Sequence, residues 1–363
     1  MRSFAVWYEC KDKVEPNDLE DVYADLHVNY WSSLPYTGCG ENCFFDFGIK
    51  VSNIKNISKI NIYCPYELEK QDVIDLGAKI SDDILIHAIF NENYTIKIGI
   101  PKHCLVYAKK QNNDAQNFVI YALDENSEIN LIKSKRTKNK CDDPNQKELA
   151  QGTIISLLVE DLIKNAPDDI SRELSYYFRI RVLANKEKLR LIMREVKNVN
   201  AFRDAIETTE LMDFRINDIR SCCDVIKNKF IINNKFKFHS IHFLVMRDVN
   251  HKVVAEGLPC TCRLLEQDIW NKYLDNLQDN ILAYHFKKKN NTEKELNDLV
   301  VLIKFTYKKI TVRTIIWYLI SAITIGLLIN IIFEMCKKNG FFIPCVILLF
   351  GICLWKTIRL WKN

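Results

Sequence analysis

The sequence predicts a mixed α+β region followed by a C-terminal two-helix transmembrane hairpin. Three observations carry this. Short runs of β-branched and aromatic residues, separated by polar turns, recur over residues 1–134. Residues 148–292 mix strand-like with helix-like runs. Thr314–Phe333 then runs twenty residues without a charge, and Phe341–Trp355 fifteen more.

In chain order, Phe4–Tyr8, Phe44–Val51, Ile57–Tyr63, Thr95–Ile100, Cys104–Ala108, Phe118–Leu123 and Ile129–Ile132 read as strands. Val73–Ile80 and Asp83–Phe90 read as helices. These make 1–134 a strand-rich α+β domain. Residues 135–147, KRTKNKCDDPNQK, are polar and charged and read as a linker or exposed loop. Residues 148–292 form a second α/β region. It opens with an expected helix whose apolar face is Leu149, Ile154, Ile155, Leu157, Leu158, Leu162 and Ile163, ended by Pro167. Tyr176–Leu183 and Phe236–Met246 read as strands. Lys186–Ala205 and Leu264–Leu277 read as helices. Residues 293–313 are expected to run as a helical stalk into the hairpin, 314–355, and 356–363 form a basic tail.

Twenty helical residues rise about 30 Å, the depth of a bilayer's hydrocarbon core. The second span is shorter and reaches that depth if Lys338 and Lys356 snorkel outward. Lys304, Lys308, Lys309, Arg313, Lys356, Arg359 and Lys362 flank the hairpin, whereas its loop has Lys337 and Lys338. The positive-inside rule then puts both termini and the large N-terminal part in the cytoplasm. MRSFAVWYECKDK has neither a long apolar core nor a small-residue cleavage site, so it does not read as a secretory signal.

The chain has 51 basic and 46 acidic residues. Nine of the basic and one of the acidic lie in 301–363, leaving 42 against 45, a net of −3, for the rest. The overall basicity therefore belongs to the anchor and is no argument for nucleic-acid binding. Thirteen cysteines, an odd number without a secretory signal, argue against a disulfide framework.

The sequence contains no glycine-rich phosphate loop, nucleophile elbow or H-E-x-x-H motif, and its carboxylates show no spacing specific for acid–base chemistry. No catalytic residue and no cofactor is predicted, and the chain does not read as an enzyme. Cys39, Cys43, Cys260, Cys262, His239, His242 and His251 contain zinc-type ligands, but His239 and His242 lie three apart on an expected strand and so face opposite ways. Incidental free cysteines are the better reading, and no metal site is predicted. Asp213–Arg220 reads as a half-buried strand with solvated charges. Its alternative is a ligand-binding edge with Arg215 and Arg220 on an anion.

Two segments carry candidate sites. Arg179–Arg203 has eight basic residues against two acidic ones. Arg179, Arg181, Lys188, Arg190, Arg194 and Lys197 are candidate contacts to nucleic acid or a partner, set against a solvated helix face. In the first span, Thr314, Tyr318, Ala322, Gly326, Asn330 and Glu334 recur every fourth residue, with Ser321 and Thr324 on adjoining faces. Ala322 and Gly326 are a small-xxx-small pair that lets helix backbones approach, and Asn330 can hydrogen-bond across such a contact. The stripe serves packing within the hairpin, or association between chains with Ser321, Thr324 and Asn330 lining water.

In layout, the hairpin Thr314–Trp355 under a large cytoplasmic region resembles the two-transmembrane effectors of bacterial antiphage defence, of the retron and cyclic-oligonucleotide types. The resemblance implies a toxin held inactive until infection, which then disrupts the inner membrane in abortive infection. It further implies a cytoplasmic regulatory partner, either a reverse transcriptase with its RNA–DNA product or a cyclic nucleotide, and a homo-oligomer in the bilayer. The alternative is a non-enzymatic membrane-anchored scaffold or receptor subunit that binds a protein or nucleotide partner.

Overall fold

The fold follows from where the apolar faces of the strands meet. The computed structural model describes residues 2–11, 21–32, 43–92, 94–98, 102–108, 117–135, 150–162, 174–196, 207–274, 277, 279–290, 295–308 and 312–339. Strands among them are β1 Ala5–Cys10, β2 Tyr23–Trp31, β3 Cys43–Val51, β4 Ile57–Cys64, β5 Val73–Asp75, β6 Tyr94–Ile98, β7 His103–Ala108, β8 Phe118–Tyr121 and β9 Ile129–Lys135. They continue with β10 Ala150–Leu158, β11 Ser175–Ala184, β12 Met193–Val196, β13 Glu207–Ile216, β14 Lys237–Asp248, β15 Lys252–Glu256, β16 Cys260–Leu264, β17 Ile281–Lys289 and β18 Leu299–Lys308. The class is mixed α+β, mostly sheet.

A ten-stranded sheet runs β16-β17-β14-β2-β3-β11-β8-β7-β6, with β5 paired to β11. Two four-stranded sheets, β1-β4-β10-β9 and β12-β13-β18-β15, share a core with one of its faces. The large sheet contributes Leu26, Val28, Phe45, Phe47, Phe178, Ile180, Ile241 and Phe243 to that core. Phe4, Ile62, Ile155, Phe214 and Phe305 come from the smaller sheets. Phe214 stacks flat on Phe243 at 3.7 Å, and Phe4 packs on Phe45, Phe47 and Phe214. Burying aromatics of this size is the main source of stability here. On the opposite face, the short helices Gly77–Ile80, Asp83–Phe90 and Gln267–Trp270 bury a second cluster around Trp31, Phe44, Leu85 and Tyr273.

The seven strands expected within 1–134, and those at 176–183 and 236–246, are present with small shifts at their ends. The helix Asp83–Phe90 forms as expected, capped by Asp82, whose Oδ1 accepts from the backbone N–H groups of Ile84 and Leu85.

Other expectations are corrected. The apolar helix expected to open the second region is strand β10, which lies between β4 and β9. Ile155 and Leu157 enter the main core while Ile154 enters a separate cluster with Trp7 and Phe230. A strand buried on both faces loses its alternation and imitates a helix's apolar face. Lys186–Ala205 is not one helix. A single turn, Lys186–Leu189, precedes β12, and 197–205 lie outside the described residues. Val73–Ile80 splits into β5 and a turn of helix, and Leu264–Leu277 reduces to Gln267–Trp270. Within the expected stalk 293–313 lies β18, whose Leu299, Val301, Ile303 and Phe305 alternate into the core. The expected linker 135–147 is outside the described residues apart from the end of β9. Strands on its two sides nevertheless pair, β9 with β10 and β3 with β11.

Contacts divide the chain into two units, 1–198 with 208–307, and 199–207 with 308–363. The second contains the helix Val312–Asn339. It covers the first expected span and, at 28 residues, is about 42 Å long. One helix long and apolar enough to cross a bilayer is thus present among the described residues, not a two-helix hairpin. The second expected span, 341–355, and the tail 356–363 lie outside them.

Candidate functional site

Polar side chains gather on the face of the ten-stranded sheet opposite the main core. Strands β2 and β14 run parallel and place His242 beside His27 and Ser240 beside Asp25. Antiparallel β3 sets Lys50 across from Asp25 and Gly48 across from His27. Next, β11 puts Tyr177 opposite Lys50 and Arg179 opposite Gly48. On the other side, β17 aligns Lys287 with His242 and Lys289 with Ser240. Side chains opposite one another in a ladder share a face, so these groups form one continuous surface.

Gly48 sits at its centre for a steric reason. A Cβ there would stand 2.0 Å from the Tyr177 Oη and 3.2 Å from the Arg179 Nη1. The missing side chain lets Tyr177 and Arg179 lie over β3 towards β2.

Beside it is a buried charge network. Asp46 is fully buried and accepts from Trp31 Nε1 at 3.0 Å, from Arg181 Nε and Nη2 at 2.8 and 3.1 Å, and from Tyr273 Oη at 2.7 Å. Tyr273 Oη in turn accepts from Arg179 Nε at 2.7 Å, and Tyr177 Oη accepts from Arg179 Nη1 at 2.8 Å. Arg179 Nη2 is buried with no partner among the described residues. Two guanidiniums thus share one carboxylate, and Arg179 reaches it through a phenol. Burial keeps both phenols neutral by pushing their pKa values up.

Three imidazoles meet on the same face. His27 lies edge-on to His242 at 4.7 Å, and His285 stacks on His242 at 5.0 Å. Ser240 Oγ donates to Asp25 Oδ1 at 2.6 Å. Its single hydrogen is then committed, so His242 Nε2, 3.0 Å away, carries its own hydrogen and donates to Ser240. That leaves His242 Nδ1 bare to accept from His285 Nε2 at 3.0 Å. The hydrogen bonds therefore run in one direction, from His285 through His242 and Ser240 to Asp25.

This order requires a neutral His242. Burial, helped by Lys287, His285 and Lys289, pulls its pKa down to about 3. Burial also lowers His27, well below the usual value, with His242, Arg179, Lys50 and His285 adding to it. His285 is lowered by burial, Lys287 and Arg263. Asp25 is the carboxylate that bears on Lys50 and Lys287.

A pH dependence follows. The unfolded chain binds protons at these histidines below about pH 6.5, and the folded protein resists doing so. Between about 3 and 6.5 the unfolded state holds more protons, so the histidines' contribution is present above 6.5 and lost on acidification. Asp75, raised by burial to about 7, works in the opposite direction. Comparison with His242→Gln isolates the histidine share, since Asp75 is common to both. The thermal midpoint of the unsubstituted protein is expected to fall more steeply between pH 7 and 5 than that of His242→Gln. Parallel profiles would count against a neutral His242.

The residues picked from sequence fare unevenly. Arg179 is buried and Arg181 is tied to Asp46, so neither presents an outer basic strip. Lys188 pairs with Asp72 at 2.7 Å. Arg190 and Arg194 are exposed, and Lys197 is outside the described residues. Arg215 is held by Asp213 and Asp218, which occupy the charge an anion would need. His239 stacks on Tyr23, His251 on Tyr307, and Cys260 and Cys262 are exposed on edge strand β16. Cys43 is buried and Cys39 lies outside the described residues. No group of three or more His, Cys, Asp or Glu side chains is arranged to hold a metal ion among the described residues. Sequence reading missed His27, His285, Ser240, Asp25 and Lys50. The available signal was a polar residue at every second position of otherwise apolar strands, as in Asp25-x-His27-x-Asn29 and Ser240-x-His242.

On the apolar helix, Ser321 Oγ donates to the carbonyls of Trp317 and Tyr318, at 2.6 and 3.0 Å, and Thr324 Oγ1 to that of Ile320. Both hydroxyls are satisfied within the helix. A Cβ at Gly326 would meet nothing within 4 Å, so the backbone is open there, one turn beyond Ala322 and one before Asn330.

No protein-family model matches the chain, and a search of curated proteins finds no match to it.

Proposed function

We propose that the protein is a non-enzymatic receptor or scaffold subunit, held in a lipid bilayer by the helix Val312–Asn339, whose sheet-rich part binds a cytoplasmic partner. What carries the anchoring is the helix's exposure. The window Ile315–Met335 has a mean hydropathy of 2.3, and none of it is buried within the protein. A soluble core helix of that composition would be covered by its own fold, and a continuous apolar surface of this size marks a contact with lipid or another protein. Lys304, Lys308, Lys309 and Arg313 precede the apolar window Ile315–Met335, against Lys337 and Lys338 just after it, which favours a cytoplasmic sheet-rich part. The full chain is expected to stay with membranes through an alkaline carbonate wash. Release into the supernatant would sink the anchoring.

One observation favours a second reading, an effector of antiphage defence that disrupts the inner membrane when released by a restraining partner. That observation is the open backbone at Gly326 between Ala322 and Asn330, on which helices of separate chains would associate. In this reading the partner is a reverse transcriptase with its RNA–DNA product or a cyclic nucleotide, and the chain oligomerises. Expressed with its trigger, the protein would depolarise cells, and changing Ala322, Gly326 and Asn330 to leucine would abolish that. Equal depolarisation by the leucine variant would remove the stripe from the mechanism.

A further inference from the structure

We propose that Cys260 and Cys262 form a two-thiolate binding site for copper(I) at the edge of the ten-stranded sheet, with the soft cation held between their sulfurs. The site involves β16 and β17 alone and depends on neither functional reading.

Exposure is the first argument. Cysteine is among the residues most often buried. Cys43, Cys64, Cys104 and Cys222 are buried here and Cys10 and Cys223 half-buried, whereas Cys260 and Cys262 are free and exposed. Both lie on β16, the end strand of its sheet, which pairs only with β17 among the described residues. Residues two apart on a strand share a face, so both thiols leave the strand on the same side. Cys260 lies opposite Phe286 and Cys262 opposite Tyr284. Phe286 is fully buried, so the pair has an apolar neighbour on its inner flank and solvent outside. That setting suits a soft, weakly hydrated cation.

Spacing and electrostatics decide between the chemistries open to such a pair. Two strand residues of about 3.4 Å each put the Cα atoms about 6.8 Å apart. That is the far end of the span a disulfide bridges, most lying at about 5.5–6 Å. A metal ion between the sulfurs bridges a wider gap, with a metal–thiolate bond of about 2.3 Å on each side. Partial burial raises the pKa of the Cys262 thiol, a hydrogen bond from Tyr284 lowers it, and Cys260 raises it. The two sulfurs therefore sense each other, and a cation between them turns that repulsion into attraction. The Tyr284 hydroxyl donates to Cys262 Sγ and favours the thiolate that metal binding needs. Zinc takes four ligands, and no third His, Cys, Asp or Glu is arranged to complete a site among the described residues. Copper(I) selects thiolates and is satisfied by two of them in line. On binding, two S–H bonds are exchanged for two Cu–S bonds, both protons pass to solvent, and the metal stays copper(I).

The test is a titration of the reduced full chain in detergent with copper(I), kept reduced by ascorbate, in competition with bicinchoninate. The coloured copper(I) complex of bicinchoninate fades as the protein withdraws the metal. The chain is expected to withdraw one equivalent more than the doubly substituted Cys260→Ser, Cys262→Ser chain. Each single serine variant should lose that same equivalent, since one thiolate alone does not compete. Eleven of the thirteen cysteines are common to the chain and the double variant, so the difference isolates the pair. Both positions are exposed, and serine there leaves the fold intact. Thr261→Ser, on the other face of β16, should withdraw as much as the unsubstituted chain. Equal withdrawal by the chain and the double variant, or a full equivalent kept by a single variant, would overturn the proposal. So would zinc(II) held by the pair in competition with a zinc indicator, because zinc needs more ligands than these two thiolates.

Discussion

Asp46→Ala is expected to lower the free energy of unfolding by about 3–5 kcal/mol, the range for removing one partner of a buried charge network. The carboxylate is fully buried and accepts from Trp31, Arg181 and Tyr273. Alanine strips the charge from beneath two guanidiniums and leaves an indole N–H and a phenol without acceptors. Arg181 lies over the Phe44 ring at 4.0 Å and Arg179 over Tyr273 at 5.3 Å, so the cations keep aromatic contacts that do not replace a carboxylate. Asp46→Asn keeps the shape and one acceptor and should lose less. Urea unfolding of the full chain in detergent, followed by tryptophan fluorescence, measures the loss. A loss below about 1 kcal/mol for Asp46→Ala, typical of exposed pairs, would mean that the guanidiniums find compensation elsewhere.

Ile323→Arg combined with Leu327→Arg is expected to move the protein from the membrane to the soluble or aggregated fraction. Both residues lie in the apolar window, with 62% and 57% of their surfaces exposed. An arginine near the centre of a spanning helix costs about 2.5–3.5 kcal/mol in insertion, so the pair costs roughly 6 kcal/mol. That exceeds what snorkelling towards either interface recovers from the middle of the span. Ile323→Leu with Leu327→Ile keeps the hydropathy and should fractionate like the unsubstituted chain. Continued resistance of the arginine pair to carbonate would show that the helix does not hold the protein in the bilayer.

The strands were legible wherever one face met the core and the other met water or polar groups. Phe44–Val51 and Tyr176–Leu183 alternate, and each lies within a residue or two of its observed bounds. Reading failed where burial removed the alternation. Ile154, Ile155, Leu157 and Leu158 give no period-two signal because β10 is covered on both sides. It failed again for β18, where Leu299, Val301, Ile303 and Phe305 do alternate but stand just before an apolar helix and were absorbed into it. Short strands such as β12 and β15 are stabilised by their neighbours more than by their own residues, so they leave little trace in a local window.

The site was less legible than the fold. His242 was noticed for its type and set with the wrong partners, since spacing along one strand says nothing about the strand beside it. Arg179 and Arg181 were counted into a basic contact segment, Arg179–Arg203, whereas β11 places one under the polar face and the other on Asp46.

By itself the sequence determined local matters: the strand-rich character of the first part, the caps and turns, and a long apolar helix near the C-terminus. These depend on side-chain period and on runs of residues within a few positions of one another. Tertiary structure alone decided which polar residues meet. Parallel pairing of β2 with β14 joins His27 to His242 and Asp25 to Ser240, residues more than two hundred positions apart. Gly48 then makes room over β3 for Tyr177 and Arg179. Register between distant strands is set by how whole apolar faces fit together, and no segment read alone carries that information.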